Sequence, residues 1–105
     1  MKKASFAPRA RADLRATLLW YREQDIKVSR RFLQAVNNCV ARLVENPRIW
    51  PLKEHGARRA LLQRFPYSLY YQEVKEGVRI IAVVHNHRHP DVWHSGLSDD
   101  QTFRG

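Results

Sequence analysis

One cysteine, Cys39, in 105 residues leaves no internal disulfide to form, so packing alone must hold the fold. No run of about 18 apolar residues occurs, which excludes a membrane-spanning helix. The basic start Met1-Lys2-Lys3 is not followed by an apolar core segment, so no secretory signal is expected. With the lone thiol, this gives a cytoplasmic protein as the expectation. Repeats, low-complexity tracts and linkers are all lacking. Acidic residues are scarce, with 10 Asp and Glu against 19 Lys and Arg, for a net charge of +9. The deficit is regional. Residues 1–64 carry 15 basic residues against five acidic ones, while residues 65–105 carry four against five. A half this basic asks for an anionic partner: nucleic acid, its machinery, or an acidic protein.

What is present reads as a single domain of residues 1–94 with a loosely held polar tail, 95–105. Hydrophobic residues make up 44% of the chain, enough for a thin core if the apolar faces point at one another. The clearest element is Phe65–Val74. Tyr67, Leu69 and Tyr71 alternate with Ser68, Tyr70 and Gln72, the period of a pleated strand. Glu76-Gly77 offers a reversal, and Val78–His85 returns as a nearly continuous apolar strand, which predicts a central position.

Upstream, Lys3–Phe6 is a short first strand and Pro8 suits the first turn of a helix. Ala10, Leu14, Leu18 and Tyr21 recur at helical spacing to about Glu23, with Leu19 and Trp20 flanking the stripe and able to extend it. Gln24–Lys27 breaks the pattern. A second helix runs from Val28 or Ser29 to Asn46, burying Phe32, Val36, Cys39, Val40 and Leu43, and Pro47 ends it. Pro47–Gly56 is a loop tacked onto the core by Trp50 and Leu52, and Ala57–Arg64 is another strand, followed by a corner at Pro66. The order is β-α-α-β-β-β, an α+β fold with a helical hairpin on a small antiparallel sheet whose last strand is central.

Several stretches in this order resemble a known family. They are Ala7 or Ala10 followed by Asp13-Leu14, Asn46-Pro47, Gly56-Ala57-Arg58-Arg59, Arg64-Phe65-Pro66-Tyr67-x-Leu69-Tyr70-Tyr71, Ile81–His85 and Arg88-x-Pro90-x-x-Trp93. Together they look like the RelE/ParE superfamily of bacterial type II toxins, on the ParE-like branch once called plasmid stabilisation proteins. The resemblance spans roughly residues 4–94. It implies a toxin neutralised by a cognate antitoxin in a hetero-oligomer, the antitoxin laying a helix and an extended segment across hairpin and sheet. It also implies one of two targets: DNA gyrase, bound as a protein, or mRNA on the ribosome, cut by a RelE-like endoribonuclease. A basic nucleic-acid-binding module without toxicity is a third, weaker reading.

For RNA cleavage the candidate residues are Arg59, Arg64, His85, Arg88 and His94, cations for the phosphate and imidazoles for proton transfer. For contact with target or antitoxin they are Arg11, Arg15, Arg58, Arg59, Tyr70, His87 and Trp93. His85 and His87 share a strand face, but two imidazoles leave a tetrahedral metal site half built, so neither metal nor other cofactor is expected. Ser68 stands where the resemblance implies an arginine in RNA-cleaving members. That departure turns the reading toward a protein target.

Overall fold

The computed structural model describes residues 2–87. It contains β1 (Lys3–Phe6), α1 (Pro8–Gln24), α2 (Ile26–Glu45), β2 (Arg58–Leu61), β3 (Tyr67–Val74) and β4 (Gly77–His85), with one 3₁₀ turn at Glu54–Gly56. The four strands form one sheet in the order β1-β4-β3-β2, so β4 is interior, as its unbroken apolar run requires. The expected α+β layout holds, with one correction. The sheet is mixed rather than antiparallel, because β1 lies parallel to β4, with Lys3 opposite Gly77 and Phe6 opposite Ile80. Antiparallel neighbours can be joined by a tight turn, whereas parallel ones need a crossover. Here the whole hairpin α1–α2 and the strands β2 and β3 intervene.

Pro8 opens α1 directly after the extended Ala7. A single residue separates the helices. Asp25 is extended, its N–H closes α1 on Tyr21 O at 2.8 Å, and its Oδ1 caps α2 by accepting from Lys27 N at 2.9 Å. Because that carboxylate caps so efficiently, α2 starts at Ile26, earlier than the sequence pattern alone predicts. Ser29 Oγ donates to Leu18 O at 2.9 Å and pins the two helices together.

The β3–β4 reversal is made by Lys75 and Glu76, and Gly77 is already paired with Val74 as the first residue of β4. Gly77 is needed for a different reason from turning: its φ is +146°, and a Cβ there would overlap the backbone of Lys3. Strand β4 also carries a bulge. Tyr70 faces Ala82 and Tyr71 faces Ile80, leaving Ile81 unpaired. The extra residue explains why the apolar run of β4 serves both faces of the sheet. Val78, Ile80 and Val83 join the core beneath the helices, while Ile81, Ala82 and Val84 pack with Ala57 and Tyr70 on the other side.

Under the helices, Phe32, Val36, Cys39 and Leu43 of α2 meet Leu69 and Tyr71 of β3. An aromatic cluster sits at one end of this core: Phe32 lies 5.1 Å from Phe65 and 5.2 Å from Tyr67, and Tyr21 lies 5.4 Å from Phe32 (ring centroids). Two sequence expectations fail here. Leu19 and Trp20 do not widen the buried arc of α1 but stand more than half exposed, because α1 needs only Ala10, Leu14, Leu18 and Tyr21 to cover its part of the sheet. Leu52 is exposed too. Of the two, Trp50 packs the loop onto the core, and Leu52 contributes a backbone bridge to Arg58.

Past Phe6 the outer edge of β4 has lost its partner strand. The Val83 N–H on that edge donates to Asp13 Oδ2 of α1 at 3.0 Å, while Asp13 Oδ1 takes the Arg9 Nε–H at 2.9 Å. Asp13→Ala is therefore expected to orphan a part-buried amide and lower stability by about 1–3 kcal/mol in denaturant unfolding, with Asp13→Asn recovering part of the loss.

Candidate functional site

Arginines gather at three separate places on the surface. The first is the groove between α1 and α2. Its walls carry the apolar side chains of Leu14, Leu18, Leu19, Ile26 and Leu33, and its rim carries Arg11, Arg15, Arg22 and Arg30. The groove encloses about 670 Å³ and no carboxylate lines it. Arg11 Nε donates to Phe6 O at 3.4 Å, a long contact that leaves the guanidinium mostly in solvent. The exposed Leu19 and Ile26 belong to this groove. The composition, an apolar floor between cationic rims, suits an amphipathic segment with acidic flanks.

The second place is the face of the sheet turned away from the helices. Arg59 of β2 lies opposite Tyr70, and Ser68 is one pleat along the same face. Arg59 Nε donates to Ser68 Oγ at 3.0 Å, Arg59 Nη2 donates to Asn86 Oδ1 at 3.2 Å, and Ser68 Oγ donates to the same Asn86 oxygen. Ser68 is fully buried and Asn86 is exposed. Tyr70 is only 8% exposed, so its ring is mostly packing beside this network.

The third is a concavity of about 650 Å³ on the far flank of α2, between that helix, Trp50 and the β2–β3 connection. Arg31, Arg42 and Arg64 line it, and Arg64 holds a left-handed backbone, φ 70°. Cys39 forms part of its wall. Burial pushes the Cys39 thiol up, against the opposing pull of the Arg42 guanidinium, which keeps it protonated and a poor nucleophile.

The residues singled out for RNA chemistry are thus divided. Arg59 is on the open sheet face and Arg64 beside α2. His85 is on the helix side of the sheet, its ring 5.0 Å from Tyr67. Its Nδ1 accepts from the His87 N–H at 3.1 Å, and His87 is exposed. Arg88, Trp93 and His94 lie outside the described residues. Arg11 and Arg15 share the interhelical groove. Arg58 is placed otherwise: its Nη1 donates to Trp50 O at 2.7 Å, which makes it a strut for the loop. Among the described residues no group of three His, Cys, Asp or Glu is gathered in a way that could hold a metal ion.

The sequence reading missed Asn86. It follows an apolar strand, between two histidines, and has no periodic signal, and only the turn after β4 brings it to Arg59. Arg22 and Arg30 were missed as well, because the rim they share with Arg11 and Arg15 forms only when the two helices pair.

The arrangement of a helical hairpin on a mixed sheet has counterparts in known proteins. The family described as "ParE toxin of type II toxin-antitoxin system, parDE" matches residues 4–90. The chain belongs to the ParE toxin family. The solved structure "Chromosomal ParDE TA system from P. aeruginosa" contains a similar chain, with a TM-score of 0.69 at 22% identity. The match covers 81% of this chain and 96% of that one, a likeness of fold. Among curated proteins none matches the chain. As a type II toxin of this family, the chain is implied to have an antitoxin as partner. No helix among the described residues is long and apolar enough to cross a membrane.

Below the site, Tyr71 carries the loop that leads into β2. Its hydroxyl donates to Pro47 O at 2.8 Å, and burial pushes the phenol up, against the pull of Arg58. A raised folded-state pKa favours the protonated, folded form, so this contribution is complete below the ordinary value of 10.0 and is lost as the pH climbs through the higher folded value. Tyr71→Phe is expected to cost about 1–2 kcal/mol at neutral pH. It should also flatten the alkaline fall in stability, as read by urea titrations from pH 7 to 11.

Proposed function

We propose that this ParE-family toxin acts by binding DNA gyrase, and that its antitoxin silences it by filling the groove between α1 and α2. The observation that carries the target reading is Ser68. The position at which the resemblance implies a phosphate-binding arginine in RNA-cleaving relatives holds a buried hydroxyl, spent on accepting from Arg59 and donating to Asn86. The separation of Arg59, Arg64 and His85 onto different faces adds to it, since transfer of a phosphate's charge and proton needs its groups around one atom. The antitoxin reading rests on charge and shape together. Four arginines rim an apolar trough, and an acidic amphipathic helix would bury its leucine-like anchors there while its carboxylates meet the rim. Toxin and antitoxin together form the hetero-oligomer in which the chain would be stored, in the cytoplasm.

The mRNA-cleaving alternative is kept because Arg59 presents a cation on the open sheet face, where a phosphate could meet it. Induced expression without the antitoxin separates the two. Gyrase inhibition should give growth arrest with filamentation, and the purified toxin should stop supercoiling of relaxed plasmid. Intact gyrase activity together with rapidly fragmented mRNA would reject the gyrase reading. For the groove, Arg15→Glu with Arg22→Glu is expected to slow antitoxin association about tenfold at low salt, an effect that shrinks as ionic strength rises. Unchanged association kinetics in surface plasmon resonance would remove the groove from the antitoxin interface.

A further inference from the structure

We infer that Ser68 and Asn86 are positioning residues that hold Arg59 as an uncompensated guanidinium fork for a carboxylate of the toxin's protein target. The inference rests on the protein-target reading above and extends it to named atoms.

A guanidinium has five N–H donors. Arg59 spends its Nε–H on Ser68 and one Nη2–H on Asn86, which are the two donors along one side of the group. The end of the fork, made by Nη1 and the second Nη2–H, has no partner among the described residues, and that pair has the parallel geometry that matches two oxygens of one carboxylate. Two donors converge on Asn86 Oδ1, so its amide oxygen is turned inward. The Ser68 hydroxyl gives its proton to Asn86, which leaves a lone pair facing Arg59. The three side chains close a ring of hydrogen bonds that fixes the guanidinium plane.

Every acceptor in that ring is neutral. Elsewhere the chain neutralises arginines with carboxylates, as at Arg9–Asp13 and Arg48–Glu73, both at 2.9–3.0 Å. At Arg59 no described carboxylate is within ion-pair distance. Neutral acceptors orient a charge without cancelling it. The buried Tyr70, Ala82 and Val84 lie next to it on the same face and lower the local polarity on that side, which strengthens a charge-assisted bond formed there. A residue meant only to tie β2 to the end of β4 would gain more from an Asp at position 86.

That contrast supplies the test. Asn86→Asp keeps the acceptor and adds the missing charge, so a merely structural network should tolerate it or gain from it. We would measure growth arrest on induced expression, inhibition of gyrase supercoiling by purified toxin, and the thermal unfolding midpoint. Asn86→Asp is expected to match or exceed the wild-type midpoint while losing roughly 10–100-fold in potency. Arg59→Lys, which keeps charge but not the fork, should lose potency by a similar factor with an unchanged midpoint. Wild-type potency in Asn86→Asp overturns the inference whatever the target. If the wild-type chain arrests growth but leaves gyrase active, the target reading falls, and the ranking of variants in growth arrest still decides the positioning role. Loss of binding to a single-stranded RNA oligonucleotide in Arg59→Lys, with gyrase inhibition intact, overturns the carboxylate assignment. A wild-type chain that arrests nothing overturns both.

Discussion

The contact on which the arrangement turns is the hydrogen bond from the Val83 amide to the Asp13 carboxylate. A strand in the interior of a sheet must pair on both edges, and β4 runs out of β1 after Ile80. A helix side chain takes over where the strand ends. That choice sets α1 against the outer edge of β4, and α2 follows because Asp25 allows only one residue between the helices and Ser29 ties it to α1. The interhelical groove and the concavity beyond α2 are the two flanks of a helix placed in this way.

Carboxylates are few, and the fold uses them structurally. Asp13 closes a strand edge, Asp25 caps the start of α2, and Glu73 meets Arg48 across the loop. The arginines of the groove rim, the α2 flank and the open sheet face are then left to whatever binds. This is how a net charge of +9 becomes a directional surface rather than a uniform one. Three of the apolar side chains that stay exposed, Leu19, Ile26 and Leu33, sit among the arginines of the groove, so hydrophobic contact and charge are offered together there.

Much of the fold was legible from spacing. The two helical stripes, the alternation in β3 and the apolar run in β4 each obey a local period, and local periods survive packing. The parallel pairing of β1 did not show, since four residues carry no register signal and Gly77 looks like an ordinary turn residue until Lys3 lies against it. The bulge at Ile81 was hidden for a related reason: a continuous apolar run has no alternation to interrupt. Among the candidate residues, Arg11, Arg15 and Arg59 could be picked out because charge stands out in a sequence. Arg58 was picked out on the same grounds and is a loop strut, a distinction made by a backbone carbonyl 2.7 Å away.

The sequence by itself determined the element order, the family resemblance and the excess of cationic side chains in the first half. Composition and periodicity are properties of the chain, and no folding is needed to read them. The tertiary structure alone decided which cations are neutralised and which are presented. It brought Asn86 and Ser68 to Arg59 across two strand pairings and left no described acid there. A charge is cancelled or kept by what lies within about 4 Å of it, and that distance is a matter of packing, invisible in the order of residues.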